Sequence, residues 1–410
     1  MPKRATATAL LFALLLFAAA PAAEPLPGTP PPPKLPAIDP TKLSDPKEAA
    51  RTAAQLEKDY PAASRPEAVK MLIAVLRGNG MTGNEGWFGP AESRFGWKWL
   101  AERHGVDPAK GAIAKDKFRG PADLFARLDR DGDGRIVAGD FDWSEKNPFV
   151  VQSNLATRFF RRMNPRGDGK LSKDDVDAFF ERAAKGKDHV TPDDLRAALL
   201  ASGPGGFLPG DAPTLEVLVK GLYAGELGSI HEGPKVGGAA PNFALKTLDG
   251  KETVRLSKLI GPKPVVLVFG NFTCGPFRAL TQDVDAVYHR HKDAATFVMV
   301  YVREAHPTDG WAMASNAKAG VEVKQPTTYD ERAKVCGLFA AKLKPSFPVL
   351  VDEIDDRVGN AYSGMPGRLY VIDAAGKVAY KSGRGPFGFL AGEMEQALAM
   401  ALLEAAPEKR

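Results

Sequence analysis

The feature that most constrains the fold of this 410-residue chain is an alternation of buried strands and helices after about residue 233. Valine-rich apolar runs, typical of strands buried on both faces, occupy residues 264–269, 296–302, 349–351, 368–373 and 377–380. Helical spacing of apolar residues predicts helices over 277–291, 330–343 and 390–403. Strand, helix and strand followed by a hairpin and a last helix predict an α/β domain over 233–410.

A cysteine lies where the first of these strands gives way to a helix, in the sequence NFTCGPF of residues 271–277. The element order resembles the thioredoxin-like fold. The CGPF motif is similar to the CGPC motif of thioredoxin, with Phe277 in place of the second cysteine. Free backbone amides and the helix dipole stabilise a thiolate at such a position. We therefore predict that Cys274 has a lowered pKa and acts as a nucleophile.

The second cysteine, Cys336, falls on the predicted helix 330–343. Two interpretations stay open: Cys336 resolves an oxidised Cys274 by forming a disulfide with it, or Cys336 is a residue of the core. With only two cysteines, the chain forms neither a disulfide-dense scaffold nor a cysteine-based zinc cluster.

Four segments of this domain together resemble the iodothyronine deiodinase family. They are TCGPF at 273–277, EAHPTDGW at 304–311, RLYVI at 368–372 and GRGP at 383–386. Cys274 stands where the family carries selenocysteine, and the resemblance spans about residues 235–405. It implies a thioredoxin-like fold, reductive dehalogenation of an iodinated aromatic at Cys274, and an external thiol reductant.

The resemblance also implies roles for individual side chains. Beside Cys274, the predicted catalytic residues are His306, which holds or protonates a phenolate-like or carboxyl-bearing substrate, and Glu304, which orients the substrate or relays protons. A structural role stays open for both, as a loop-ordering hydrogen bond in the case of His306. Arg384 is predicted either to pair with a substrate carboxylate or to form a surface ion pair within the protein. We also predict substrate contacts for Thr273, within the cysteine motif, and for Pro366, in a turn that resembles the cis-proline turn of thioredoxin.

A calcium-binding loop is predicted at residues 129–140, which read DRDGDGRIVAGD. Carboxylates at positions 1, 3, 5 and 12, with glycine at position 6, are typical of an EF-hand, in which position 7 contributes its backbone carbonyl. The candidate ligands are Asp129, Asp131, Asp133, Arg135 and Asp140. Aspartate rather than glutamate at position 12 predicts a weak site.

A second loop of the same length, NPRGDGKLSKDD, occupies residues 164–175. Its candidate ligands are Asn164, Asp168, Lys170 and Asp175. Arg166 places a cation at position 3, where an EF-hand needs a ligand oxygen. We interpret this loop as a structural partner of the first, with weak metal binding or none.

The rest of the chain predicts a multidomain, exported protein. Lys3 and Arg4, an apolar run over 9–20 and the small residues APAA at 20–23 are typical of a signal peptide at 1–23, and predict a secreted or periplasmic protein. A proline-rich linker is predicted at 24–44, an all-α EF-hand region at 45–202, and a second linker at 203–232.

The amino-acid composition and charge limit which binding partners we expect. The 55 basic and 50 acidic residues give a net charge of +5 without a dense basic block, so we expect no nucleic-acid partner. We expect no membrane span after processing, Ca²⁺ and an external thiol as cofactors, and no nucleotide or haem. The leading hypothesis is a secreted, calcium-binding thiol oxidoreductase acting on an iodinated aromatic. The alternatives are a thiol peroxidase or disulfide reductase, acting on a peroxide or a disulfide, and a non-enzymatic calcium-responsive binding protein.

Overall fold

The computed structural model describes residues 26–27, 29, 31–81, 86–144, 146–200 and 211–405. The predicted signal peptide at 1–23 lies outside these ranges. Within them, no helix combines the length and the apolar character that crossing a bilayer requires.

One large sheet organises the second half of the chain. The strands in the described ranges are β1 (Glu92–Ser93), β2 (Ile113–Ala114), β3 (Arg135–Ile136), β4 (Ala244–Thr247), β5 (Thr253–Arg255), β6 (Val265–Gly270), β7 (Thr296–Tyr301), β8 (Val349–Val351), β9 (Arg368–Ile372) and β10 (Val378–Lys381). Eight of them form the sheet, in the order β1-β10-β9-β6-β7-β8-β4-β5. Strands β6, β7 and β8 run parallel, and the other pairs in the sheet are antiparallel.

Helices surround this sheet and continue upstream of it. They are α1 (Pro46–Asp59), α2 (Glu67–Leu76), α3 (Trp97–Arg103), α4 (Ala122–Leu128), α5 (Pro148–Met163), α6 (Lys173–Ala184), α7 (Pro192–Leu200), α8 (Leu215–Tyr223), α9 (Leu256–Leu259), α10 (Gly275–His291), α11 (Ala314–Lys318), α12 (Tyr329–Leu343), α13 (Arg357–Ala361) and α14 (Ala391–Ala405). Short 3-10 turns lie at Pro40–Ser44, Ala62–Ser64, Lys115–Lys117 and Ala138–Phe141.

The predicted α/β thioredoxin-like arrangement is confirmed. Strands β6 and β7 are joined by α10, and the antiparallel β9–β10 hairpin lies beside β6 and leads into α14. Val268 in the middle of β6 faces Met299 of β7 on one side and Leu369 of β9 on the other. All six residues of β6 are buried, which explains why this strand is a continuous apolar run.

The prediction of an all-α region at 45–202 is wrong in detail. Strand β1 extends the large sheet by pairing with β10, and β2 pairs with β3 so that Ile113 faces Ile136. Ile136 is position 8 of the first loop, where paired EF-hand loops make a short sheet contact. Trp97 and Phe125, from helices α3 and α4, belong to the same buried cluster as the sheet, so this region shares the core of the α/β domain.

A second buried cluster joins α1 and α2 to α8. Leu72 of α2 and Leu222 of α8 are fully buried in it. Helix α8 lies inside the segment 203–232, so the prediction of a linker there is wrong for Leu215–Tyr223. The proline-rich segment before α1 also contacts α8, because the Tyr223 hydroxyl donates a hydrogen bond to the Pro36 carbonyl.

Candidate active site

Cys274 lies in the turn that follows β6, immediately before the first residue of α10, and only 1% of its surface is exposed. The side chain of Asn271 holds this turn: its amide oxygen accepts a hydrogen bond from the Cys274 amide at 3.0 Å. The Asn271 amide nitrogen donates to the Pro366 carbonyl at 2.9 Å. The Met365–Pro366 peptide bond is cis, so the turn predicted from the sequence lies against the cysteine turn.

Thr273 ties the cysteine turn to the loop after β7. Its backbone amide and hydroxyl both donate to the Glu304 carboxylate, at 2.8 and 2.7 Å. Its hydroxyl oxygen accepts from the amides of Ala305 and His306, at 3.0 and 2.9 Å. These contacts, in a fully buried side chain, let Thr273 hold the cysteine turn against this loop, and its contact with substrate stays a prediction.

Glu304 lies inside this network, with no exposed surface. Besides the two bonds from Thr273, its carboxylate accepts one from the Tyr301 hydroxyl. Burial raises the pKa of Glu304, while the three donors favour its charged form. Because the carboxylate oxygens are taken up by these donors, Glu304 holds the cysteine turn and the following loop in place.

His306 follows Glu304 and is half-buried under Trp311. The two rings meet edge to face with centroids 4.7 Å apart, and the His306 Nδ1 lies 3.1 Å from the Trp311 carbonyl. Burial lowers the pKa of His306 to about 4, so the ring is neutral near pH 7. A neutral ring that donates through Nδ1 keeps the Nε2 lone pair as an acceptor.

The cysteine itself is in its protonated form. Burial raises the pKa of the Cys274 thiol to about 11, although a backbone hydrogen bond from Phe277 and the guanidinium groups of Arg278 and Arg161 favour the thiolate. The prediction that Cys274 has a lowered pKa is therefore wrong for this structure, in which the thiol is shielded from water. The helix position has the expected effect, but removal of water outweighs it.

Two side chains that the sequence analysis missed complete the turn. Arg278, one helical turn after Cys274, donates to the Phe272 carbonyl and, at 2.8 Å, to the Asn316 side chain. Asn316 donates in turn to the Thr273 carbonyl at 2.7 Å. The position of Arg278 on the helix that begins at Cys274 was the available signal, whereas nothing in the sequence links Asn316 to the motif.

Helices α5–α7 lie over this site, and we call residues 148–200 the helical cover. A Cβ added to Gly275 would lie 3.8 Å from the Arg161 guanidinium of α5. A Cβ added to Gly167, in the second loop, would lie 3.2 Å from the Arg278 side chain and 3.3 Å from the Ala319 side chain. The cover therefore contributes side chains to the surroundings of Cys274 from more than 100 positions upstream.

Cys336 lies on α12 with no exposed surface, and both cysteines are free thiols. Burial raises its pKa, and the nearby charge of Glu304 acts in the same direction. This environment matches a residue of the core. The resolving role stays a prediction.

Arg384 has a different environment from the one expected of it. Its Nε lies 2.9 Å from the carboxylate of Glu67 in α2, and its other nitrogens donate to the carbonyls of Ser229 and His231. Glu67 also pairs with Lys381 at 2.8 Å and lies 3.4 Å from Arg368. A partly buried internal carboxylate thus occupies the guanidinium in this structure, and the pairing of Arg384 with substrate stays a prediction.

The first loop brings three predicted ligands together. Carboxylate oxygens of Asp129, Asp131 and Asp133 lie within 4.8 Å of one another. Asp129 also accepts hydrogen bonds from the amides of Gly132 and Gly134, both at 3.0 Å. The Asp140 carboxylate accepts from the amides of Arg130 and Val137, both at 2.8 Å, and is not part of this cluster. Arg135 can offer its backbone carbonyl at position 7.

The second loop is closed by its own side chains. The Arg166 guanidinium lies 2.7 Å from Asp175 and 3.5 Å from Asp168. The Asn164 side chain donates to Asp168 at 2.9 Å and to the Lys170 carbonyl. A cation of the protein therefore stands among the carboxylates where an EF-hand would hold its metal ion.

A cysteine between a central strand and the following helix, next to a cis-proline turn, defines a thioredoxin-like protein of the cysteine-dependent redox class. Comparisons with known proteins narrow this class. The sequence profile described as "Iodothyronine deiodinase" matches residues 214–401. Thyroxine 5-deiodinase of Aquarana catesbeiana is 34% identical over 182 residues, which are 44% of this chain and 65% of the relative. The Gallus gallus protein of the same name is 33% identical, over 44% of this chain and 68% of its own.

The chain belongs to the iodothyronine deiodinase family, and by family it is a deiodinase-like oxidoreductase. It spans about two thirds of the length of these relatives. Among solved structures, a putative thiol:disulfide interchange protein DsbE from Chlorobium tepidum is similar, with 22% identity, coverage of 42% of this chain and 98% of that one, and a TM-score of 0.29. The strand order and the position of the cysteine turn define the thioredoxin-like arrangement.

Proposed function

We propose that this protein is a thiol-dependent reductase that removes iodine from an aromatic substrate at Cys274. The main support for this proposal is a hydrogen-bond network that joins two of the segments shared with the family, 273–277 and 304–311. Thr273, beside the cysteine, is hydrogen-bonded to Glu304 and to the amide of His306. The iodinated aromatic substrate is part of the proposal and follows from membership of a family of deiodinases.

The reaction balances without a bound cofactor. The Cys274 thiolate attacks iodine, the carbon–iodine bond breaks, and its electron pair stays on the ring carbon, which takes up a proton. The product is the deiodinated aromatic and a sulfenyl iodide on Cys274. One external thiol displaces iodide and forms a mixed disulfide, and a second thiol releases Cys274 as the free thiol together with an external disulfide.

The side chains around the cysteine divide this work. Glu304 and Thr273 hold the turn, and His306, being neutral, accepts a hydrogen bond from a phenol hydroxyl through Nε2. A thiol with its pKa near 11 is a poor nucleophile, so the thiolate forms when water and substrate reach the sulfur. Arg278 and Arg161 then stabilise the charge.

The test is thiol-dependent iodide release from an iodinated phenol by the full chain, measured beside peroxide reduction. The Cys274→Ser variant is the control for chemistry at the sulfur, and Cys336→Ser tests the resolving role. We expect iodide release that is lost in Cys274→Ser and retained in Cys336→Ser. Peroxide or disulfide turnover without iodide release would instead establish the alternative, a thiol peroxidase or disulfide reductase.

We also propose that the loop at 129–140 binds Ca²⁺, because three carboxylates converge there. Asp129, Asp131, Asp133 and the Arg135 carbonyl would hold the ion, whereas Asp140 would have to turn away from two backbone amides. Calcium would fix the pairing of β2 with β3 against the sheet core. Export to an extracellular or periplasmic space, where calcium is abundant, is proposed from the sequence of residues 1–23 and is tested by sequencing the N-terminus of the mature protein.

A further inference from the structure

A cavity of about 620 Å³ separates the helical cover from the first turn of α10. Gly275, the residue after Cys274, and Arg278 lie on its inner side. Arg161, Asn164 and Phe179 line it from the cover. A cavity of this size fits a small organic molecule, and Gly275 on its wall is the residue that follows Cys274 in the chain.

The described lining of this cavity carries five basic side chains and no aspartate or glutamate. They are Arg161, Arg162, Arg182, Arg278 and Lys318. The Arg278 side chain is 97% buried and its Nε has no hydrogen-bond partner among the described residues. Arg182 and Lys318 are exposed at the outer rim, so positive charge extends from the surface to the cysteine turn.

Acidic groups lie close to the cavity but outside its described lining. The carboxylate of Asp211 lies 3.3 Å from the Ser315 amide and is near enough to Arg161 to affect its ionisation. The Glu304 carboxylate is likewise near enough to Arg278 to affect its ionisation. Neither carboxylate belongs to the described lining, which carries five cations. Phe179, Ala198, Ala279 and Ala319 supply apolar wall between them, which suits a molecule with an apolar body and an acidic end.

The side chains that family resemblance assigns to an acidic substrate group are not available for it. Arg384 is paired with Glu67, and His306 is neutral. A neutral imidazole brings no charge to a carboxylate, and a substrate carboxylate could reach the buried Arg384 guanidinium only by displacing Glu67. An acidic group that approaches Cys274 therefore finds its cations in the cavity.

We propose that the cavity between the helical cover and α10 is a binding subsite for the carboxylate of a small molecule that reacts at Cys274. That the bound molecule reacts at Cys274 depends on the proposed function. That the cavity binds a carboxylate depends only on the basic side chains of its lining. A carboxylate comes either from the aromatic substrate or from the thiol reductant. In both cases Arg161 and Arg278 receive it in the interior, while Arg182 and Lys318 attract it at the rim.

Binding is measured by calorimetry on the full-length Cys274→Ser variant, which cannot turn over. The first pair of probes is 3-(4-hydroxy-3-iodophenyl)propanoate and its uncharged amide, and the second is 3-mercaptopropanoate and its amide. We expect the carboxylate of at least one pair to bind about tenfold more tightly than its amide, with a preference that falls at high salt. The pair that shows the preference identifies the source of the carboxylate.

Matched variants locate the subsite. Arg161→Gln, and Arg182→Gln combined with Lys318→Gln at the exposed rim, should reduce the preference to about threefold or less. Arg196→Gln is the control, because Arg196 lies on α7 of the same cover, pairs with Asp193 and does not line the cavity. Equal binding of acid and amide in both pairs would overturn the subsite, and so would a preference that survives the cavity variants. Iodide release by the unmodified chain reports on the proposed function separately.

Discussion

The ionisation of Cys274 offers the most direct test of the closed site. With a pKa of about 11, the thiol is ionised in roughly 0.03% of molecules at about pH 7.5, against about 3% at the ordinary value of 9.0. Alkylation by iodoacetamide proceeds through the thiolate. The rate constant for Cys274 in the native chain should therefore be about 100-fold lower than that of an ordinary thiol, before steric exclusion lowers it further.

The assay is pulsed iodoacetamide labelling across a pH series, with the peptides that contain Cys274 and Cys336 quantified separately by mass spectrometry. The same chain in concentrated urea supplies the reference, because there both thiols are exposed to solvent. Native labelling of Cys274 within about threefold of the urea rate would refute the reasoning, as would a labelling midpoint below about pH 8. Arg161→Gln removes one cation that favours the thiolate and should slow labelling further, whereas Arg196→Gln should not.

Three further predictions concern stability. Glu67→Gln leaves Arg384 and its neighbouring cations buried without their carboxylate, so the free energy of unfolding in urea should fall by about 3–5 kcal/mol. The pKa of His306 is lower in the folded chain, so as pH falls the unfolded chain binds a proton at this histidine before the folded chain does. Stability is therefore lost as pH falls from about 6.5 to about 4. His306→Gln should flatten this part of a plot of melting temperature against pH. Calcium at about 100 times its Kd should stabilise the chain by ~2.7 kcal/mol; Asp129→Ala should abolish the gain, whereas Asp168→Ala in the second loop should not.

The α/β domain was predictable because its strands are buried on both faces. The predicted strand at 296–302 corresponds to β7 (Thr296–Tyr301), and the predicted helix at 330–343 to α12 (Tyr329–Leu343). The turn around Cys274 was predictable for a similar reason, since an apolar strand, a cysteine and a proline in the first helical turn leave few local arrangements. Such elements can be predicted from the local sequence because the surroundings of each residue come mainly from its neighbours in the chain.

The ionisation of Cys274 and the pairing of Arg384 were not predictable, because both depend on residues far away in the chain. Glu67 reaches Arg384 across 317 positions, and Arg161 influences Cys274 from a region outside the family match at 214–401. The family segments predict which residues meet within the domain. The helical cover lies outside the region that matches the family, so the family segments could not predict its contacts with Cys274.

The second loop explains how that cover approaches the cysteine helix, and Gly169 tests the explanation. Its φ is +75°, and a Cβ there would lie 2.9 Å from the Gln282 side chain and 3.0 Å from the Arg278 carbonyl oxygen. Gly186 in the same cover has a φ of +86° with nothing within 4 Å, so alanine strains the backbone at both positions, by about 1 kcal/mol, but clashes with α10 only at Gly169. We expect Gly169→Ala to push the cover away from α10 and to speed the labelling of Cys274, while Gly186→Ala leaves labelling unchanged. Equal labelling in the two variants would mean that the second loop does not control access to the sulfur.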